Sequence, residues 1–139
     1  MAKIFCVANQ KGGVGKTTTC VNLAAALHHA GQRVLLIDLD PQGNATMGSG
    51  IDKRGLQHFV YHLLVGLVDL AGVRVTSPTG GYDVLPANRD LAGAEVELVN
   101  LDQREKRLRN ALAAFKDDYD FVLIDCPPSL SMLTLNGLC

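Results

Sequence analysis

The chain has 139 residues, 47% of them apolar and 19% charged, with a formal net charge of -1. That is enough for one domain with a real core, since a chain of this length buries roughly two-thirds of its unfolded surface. The charge balance gives no electrostatic case for nucleic-acid binding by this segment, and no apolar run approaches the ~20 residues of a membrane span.

Ile4 to Asn9 reads as a buried parallel strand, a short and nearly continuous apolar run. Met1-Ala2-Lys3 ahead of it carries no signal-peptide core. A glycine-rich turn follows, and a helix is expected from Thr17 to Ala30. Its small-residue apolar face is Val21, Ala24, Ala25 and Leu27, and Gly31 suits a C-terminal cap. Arg33 to Asp38 is a second buried strand, and joining it in parallel to the first requires a crossover. Leu39 to Gly55 is rich in Gly, Pro, Asn and Asp and reads as a long functional loop. Phe59 to Leu70 is expected as a helix. Val73 to Thr76 and Tyr82 to Leu85 form short strands around Ser77-Pro78-Thr79-Gly80-Gly81. Leu91 to Val99 and Gln103 to Phe115 read as helices, and Phe121 to Asp125 as a further buried strand ahead of Pro127-Pro128. There is no internal repeat and no linker that would divide domains. The chain stops inside an incipient helix at Gly137-Leu138-Cys139, so the expectation is the N-terminal portion of a longer protein, or a truncated product.

Lys11-Gly12-Gly13-Val14-Gly15-Lys16-Thr17-Thr18 decides the functional reading. A strand, a glycine-rich turn and a helix start make a phosphate cradle, because successive backbone N–H groups point into the turn and the helix dipole adds partial positive charge. Gly12, Gly13 and Gly15 let the main chain approach phosphate without Cβ clashes. Lys16 is placed for the β- and γ-phosphate oxygens, and the Thr17 hydroxyl for Mg²⁺. The general pattern asks for glycine at position 10, where this chain has Gln10, and it carries an extra lysine, Lys11. Two lysines in one phosphate loop repel. Lys11 therefore either turns to solvent or meets a phosphate in a facing subunit.

Here the chain resembles the ParA/MinD class of ATPases, whose deviant Walker A loop reads K-G-G-x-G-K-[ST]. Lys11 matches the lysine that in that class reaches the partner's nucleotide. Asp38-Leu39-Asp40-Pro41-Gln42-Gly43-Asn44 looks like the first switch, with Asp40 at the position of the aspartate that supports hydrolysis and Asp38 as the first acid. Carboxylates at the C-terminal end of a strand sit where open α/β sheets bind ligands. Phe121 to Asp125 has the form of a Walker B strand, whose acid accepts a hydrogen bond from a Mg²⁺-bound water. Cys126-Pro127-Pro128-Ser129 is similar to the second switch, and Leu133-Thr134-Leu135-Asn136, Leu85-Pro86-Ala87 and Leu91-Ala92-Gly93-Ala94-Glu95 extend the likeness over nearly the whole chain. Gly137 stands where the family usually has alanine.

The resemblance implies a single P-loop NTPase domain over residues 1–139, α/β, with a mostly parallel sheet flanked by helices on both faces and incomplete at its C-terminal end. It implies ATP and Mg²⁺ as nucleotide and cofactor, bound by Lys11 to Thr18. Thr17, Asp38 and Asp125 serve the metal, Thr18 the α-phosphate, and Lys11, Lys16 and Asp40 catalysis. It further implies a cytoplasmic, nucleoid-associated partitioning protein that dimerises with ATP. A ParB-like partner stimulates it, and it binds DNA non-specifically through a later half of the chain. The alternatives are an inactive nucleotide-binding fragment, or a related ATPase. MinD-type relatives carry a C-terminal amphipathic helix not visible here, and iron–sulfur relatives need cluster cysteines beyond Cys126. Cys6, Cys20, Cys126 and Cys139 lack metal spacing, so reduced thiols are expected. Arg104, Lys106, Arg107 and Arg109 read as a solvated helix face rather than a DNA patch. His28, His29, His58 and His62 read as structural or surface residues.

Overall fold

The computed structural model describes residues 3–7, 14–93, 110, 111, 113 and 117–125. Strand β1 is Lys3–Val7, helix α1 Val14–His29, β2 Val34–Asp38, α2 Asn44–Gly48, α3 Val60–Leu64, α4 Leu70–Val73, β3 Val75–Thr76, β4 Asp83–Leu85 and β5 Phe121–Asp125. Single 3-10 turns lie at Lys53–Gly55 and Arg89–Gly93. Among the described residues these strands make one sheet in the order β1-β5-β2-β4-β3. The first three pairings are parallel and β3 alone runs antiparallel to β4. Strand β5, late in the chain, lies between β1 and β2.

Alternation along the strands divides the core into two layers. Val34 and Leu36 of β2, Val84 of β4 and Leu123 of β5 face Cys20 and Ala24 of α1 and Ala45 of α2. Leu35 and Ile37, Leu85, and Val122 and Ile124 face the other way, onto Val60, Leu63 and Leu64 of α3 and Leu70 and Val73 of α4. Every residue of β2 is buried, which explains its unbroken apolar run. The α/β class with helices on both faces of a mostly parallel sheet is therefore the fold.

Glycine ends two of the helices by the same device. Gly31 at φ 88 closes α1, with Gln32 N–H donating to Leu27 O and Gly31 N–H to His28 O, both at 3.0 Å. Gly66 at φ 84 closes α3, with Leu67 N–H donating to His62 O at 2.9 Å and Gly66 N–H to Leu63 O at 3.2 Å. These are Schellman motifs, in which a left-handed residue turns the chain back on the last free carbonyls.

Several expectations need correction. The Phe59–Leu70 helix is two helices, because Gly66 stops the first and the Asp69 side chain, accepting from Gly72 N–H at 3.0 Å, starts the second. The Leu39–Gly55 loop contains α2 and a 3-10 turn. Helix α1 begins at Val14, three residues before the expected start. Strand β1, expected to be buried, pairs on one side only among the described residues, and its Ile4 and Phe5 are 55% and 48% exposed; Ala8 and Asn9 lie outside the described residues. Of the two late helices, Leu91 to Gly93 is 3-10, and residues 110, 111 and 113 are helical. Residues 94–109, the basic cluster Arg104, Lys106, Arg107 and Arg109 among them, lie outside the described residues.

Candidate functional site

The parallel register puts the ends of three strands in one row. Val7 of β1 is level with Asp125 of β5, and Asp125 is level with Asp38 of β2. Leu39 N–H donates to Asp125 O at 2.9 Å and carries the row one residue further. Helix α1 packs on β2 and β5. It starts at Val14, soon after β1 ends at Val7, so its N-terminal turn follows from the same end of the sheet. That turn holds no acidic residue, and its unpaired N–H groups carry partial positive charge.

Of the residues expected to bind phosphate, Val14, Gly15, Lys16 and Thr17 form the first turn of α1, and Thr18 follows them, exposed. Lys11, Gly12 and Gly13 lie outside the described residues, as do Cys126 to Ser129 and the later switch-like residues. The two metal-assigned acids, Asp38 and Asp125, are brought side by side and are fully buried.

Asp38 organises the chain that follows it. Its Oδ1 accepts the Asp40 N–H at 2.9 Å, and its Oδ2 accepts the Thr46 N–H at 2.9 Å and the Thr46 hydroxyl at 2.7 Å. Burial drives its pKa up to about 7, against these three hydrogen bonds, which pull it down, and with a smaller upward push from the Asp125 charge. Asp40 is half-buried and begins a second local turn. Its Oδ1 accepts the Gln42 N–H at 3.0 Å, its Oδ2 accepts Asn44 Nδ2 at 3.0 Å, and its carbonyl accepts the Gly43 N–H at 2.8 Å. Gly43, at φ 68, then leads the chain into α2. A Cβ there would stand 2.7 Å from Lys53 Nζ and 2.8 Å from Ala87 O, so both the conformation and the space ask for glycine.

Two adjacent buried carboxylates at strand ends suit a hard, oxygen-seeking dication. Asp38 already takes three donors, which leaves little of an ionised carboxylate's roughly four acceptor positions. Asp38 is thereby committed chiefly to the bend that follows it. Thr46 is a residue of this region that the sequence reading missed. Its hydroxyl both donates to Asp38 and accepts the Ala87 N–H at 2.9 Å. The only sequence signal was a threonine eight positions beyond the first acid.

The histidines have local duties. His62 Nδ1 accepts the Phe59 N–H at 2.9 Å at the start of α3, and its ring meets that of His58 edge-on at 5.4 Å. The His28 ring lies where a Cβ on Gly81 would stand. Among the described residues, no group of three or more His, Cys, Asp or Glu is placed to hold a metal, and no helix is long and apolar enough to cross a membrane.

A family model described as an AAA domain matches residues 2–139. An uncharacterized Pseudomonas putida protein is 67% identical over 138 residues, 99% of this chain and 52% of its own length. The sporulation initiation inhibitor protein Soj of Bacillus subtilis is 54% identical over 138 residues, 99% of this chain and 54% of its own. A Mycobacterium smegmatis crystal structure, described as cobyrinic acid a,c-diamide synthase with bound ATP analog and magnesium, superposes with a TM-score of 0.94 at 50% identity, over 99% of this chain and 56% of that one. The chain spans about half the length of the curated relatives it matches.

Proposed function

The chain belongs to the AAA-domain family of ParA- and Soj-type partitioning proteins, and we propose that it carries the phosphate-binding and hydrolytic half of a Mg²⁺-dependent ATPase. The observation that carries this reading is the level row of Val7, Asp125 and Asp38, together with a K-G-G-V-G-K-T-T segment that runs into the N-terminal turn of α1. Further support comes from the ATP analog and magnesium bound by the M. smegmatis neighbour.

Lys16 and the backbone N–H groups of the Lys11–Thr18 segment hold the β- and γ-phosphate oxygens, and Thr18 the α-phosphate. The Thr17 hydroxyl would ligate Mg²⁺, with Asp38 and Asp125 supporting it through bound water. Bound Mg²⁺ neutralises charge that builds on the phosphate oxygens. Asp40 orients the attacking water, and Lys11 adds a cation to the nucleotide of a facing subunit, so that turnover is coupled to an ATP-dependent dimer. In the whole protein this cycle serves chromosome or plasmid partition in the cytoplasm, with a ParB-like partner and with non-specific DNA.

The test is calorimetric titration of the full-length protein with ATP and Mg²⁺. Lys16→Ala is expected to abolish binding, and near-parent affinity in that variant would defeat the phosphate assignment. The description of the M. smegmatis neighbour as a diamide synthase favours a second reading, in which the same site activates a carboxylate for amidation. Phosphate release without any carboxylate acceptor, stimulated by DNA with a ParB-like protein, separates the first reading from the second.

A further inference from the structure

Thr46 lies wholly inside the protein and has both hydrogen-bonding functions of its side chain in use. Its one hydroxyl proton goes to Asp38 Oδ2 at 2.7 Å, and its oxygen accepts the Ala87 N–H at 2.9 Å. Its own N–H goes to the same Asp38 oxygen at 2.9 Å. The side chain therefore joins the C-terminal end of β2 to the segment after β4, across 41 positions of sequence. Between Asp38 and Thr46 the chain is a closed bend. One foot is the Asp40 N–H on Asp38 Oδ1, and the other is Thr46 on Asp38 Oδ2. Asp40 rides on that bend. From Ala87 the connection continues, since the adjacent Pro86 O accepts the Val60 N–H of α3 at 2.8 Å.

We propose that Thr46 is a positioning residue for ATP hydrolysis: its hydroxyl clamps Asp38 to the Ala87 backbone and so fixes the bend that presents Asp40. The inference rests on the ATPase reading and adds a residue to it. Thr46 does not touch the nucleotide. It acts through Asp38 and Asp40, and a loosened bend misplaces the water-orienting acid more than it weakens phosphate binding.

The full-length protein tests this with two variants and two readouts. Thr46→Val keeps the volume and removes the hydroxyl, and it should lower kcat about tenfold, the effect of one net hydrogen bond, with KM for ATP within about twofold of the parent. Thr46→Ser keeps the hydroxyl and should restore most of kcat. In nucleotide-free protein, amide hydrogen exchange at Ala87 should quicken about tenfold or more in Thr46→Val and stay near parent in Thr46→Ser. Parent kcat in Thr46→Val, a loss seen only in KM, or a serine variant as slow as valine would each overturn the proposal. Where Thr46→Val does not fold, Thr46→Cys, with a weaker donor and acceptor, should give an intermediate kcat, and parent kcat there would overturn it equally. A parent protein that releases no phosphate would instead defeat the ATPase reading on which the proposal stands.

Discussion

Asp38→Asn, followed by stability across pH, probes the electrostatics of the site most directly. Asp38 is fully buried, and its pKa lies at about 7 against an ordinary 3.8, chiefly because burial penalises its charge. An acid whose pKa is raised by folding holds its proton more tightly in the native state than in the unfolded one. Its contribution to stability is complete below pH 4 and is lost as pH rises through the native value. The window is therefore about pH 4 to 7, and each pH unit within it removes 2.303RT, which sums to on the order of 4 kcal/mol as an upper bound. Asparagine cannot titrate. It keeps one acceptor oxygen for the Thr46 donors and turns its amide toward the Asp40 N–H, so it forfeits one hydrogen bond, about 1 kcal/mol, at every pH. The parent should be slightly the more stable protein near pH 4, and its advantage should reverse by about pH 5 and become a deficit of up to about 3 kcal/mol near pH 7.5. Urea unfolding of both proteins at a series of pH values, in chelator and without nucleotide, reads this difference and cancels the titration of other groups. A difference that stays flat from pH 4 to 7.5 would refute the claim that Asp38 sits protonated in the native protein over that range.

Two further predictions concern the frame around the site. Gly43→Ala should lower the unfolding free energy by about 1–3 kcal/mol in urea titration, since φ 68 is unfavourable for alanine and the new methyl meets the Ala87 carbonyl; an unchanged midpoint would mean the bend relaxes freely. Tyr82→Phe removes the buried 2.7 Å contact between Tyr82 Oη and Ser49 Oγ, and should lower thermal stability by about 1–2 kcal/mol while ATP affinity stays at the parent value.

The strands were legible because a sheet covered on both faces needs continuous apolar runs, and Val34–Asp38 and Phe121–Asp125 have that form. Helix α1 was legible from its small apolar residues and from Gly31. What failed was local in appearance and long-range in cause. Gly66 sits inside a run that keeps helical spacing, and nothing nearby distinguishes a tolerated glycine from a left-handed stop. Asn44, Thr46 and Gly48 are poor helix formers, and α2 exists because Asp38 takes the Thr46 N–H and Ala45 packs into the α1 layer. The Ile4–Asn9 run reads like any central strand, yet whether a strand is central depends on which others arrive beside it. The strand ends were legible as carboxylates, but Thr46 was not, because its second partner, Ala87, is remote in sequence.

The paired acids also argue against a merely structural end to the sheet. Stability alone would favour apolar or hydrogen-bonded neutral residues in two adjacent, fully buried positions. Here burial raises the cost of ionising Asp38, with a smaller push from the Asp125 charge, and its pKa rises accordingly. Its three donors lower the penalty without cancelling it, and they come from the bend that holds Asp40 rather than from a neutralising lysine or arginine. An acid that ionises only near neutral pH is thus kept at the end of the sheet from which α1 starts. A site of that kind gains stability when a cation enters with its anion, and a bend tied to one of its acids is positioned to register the change.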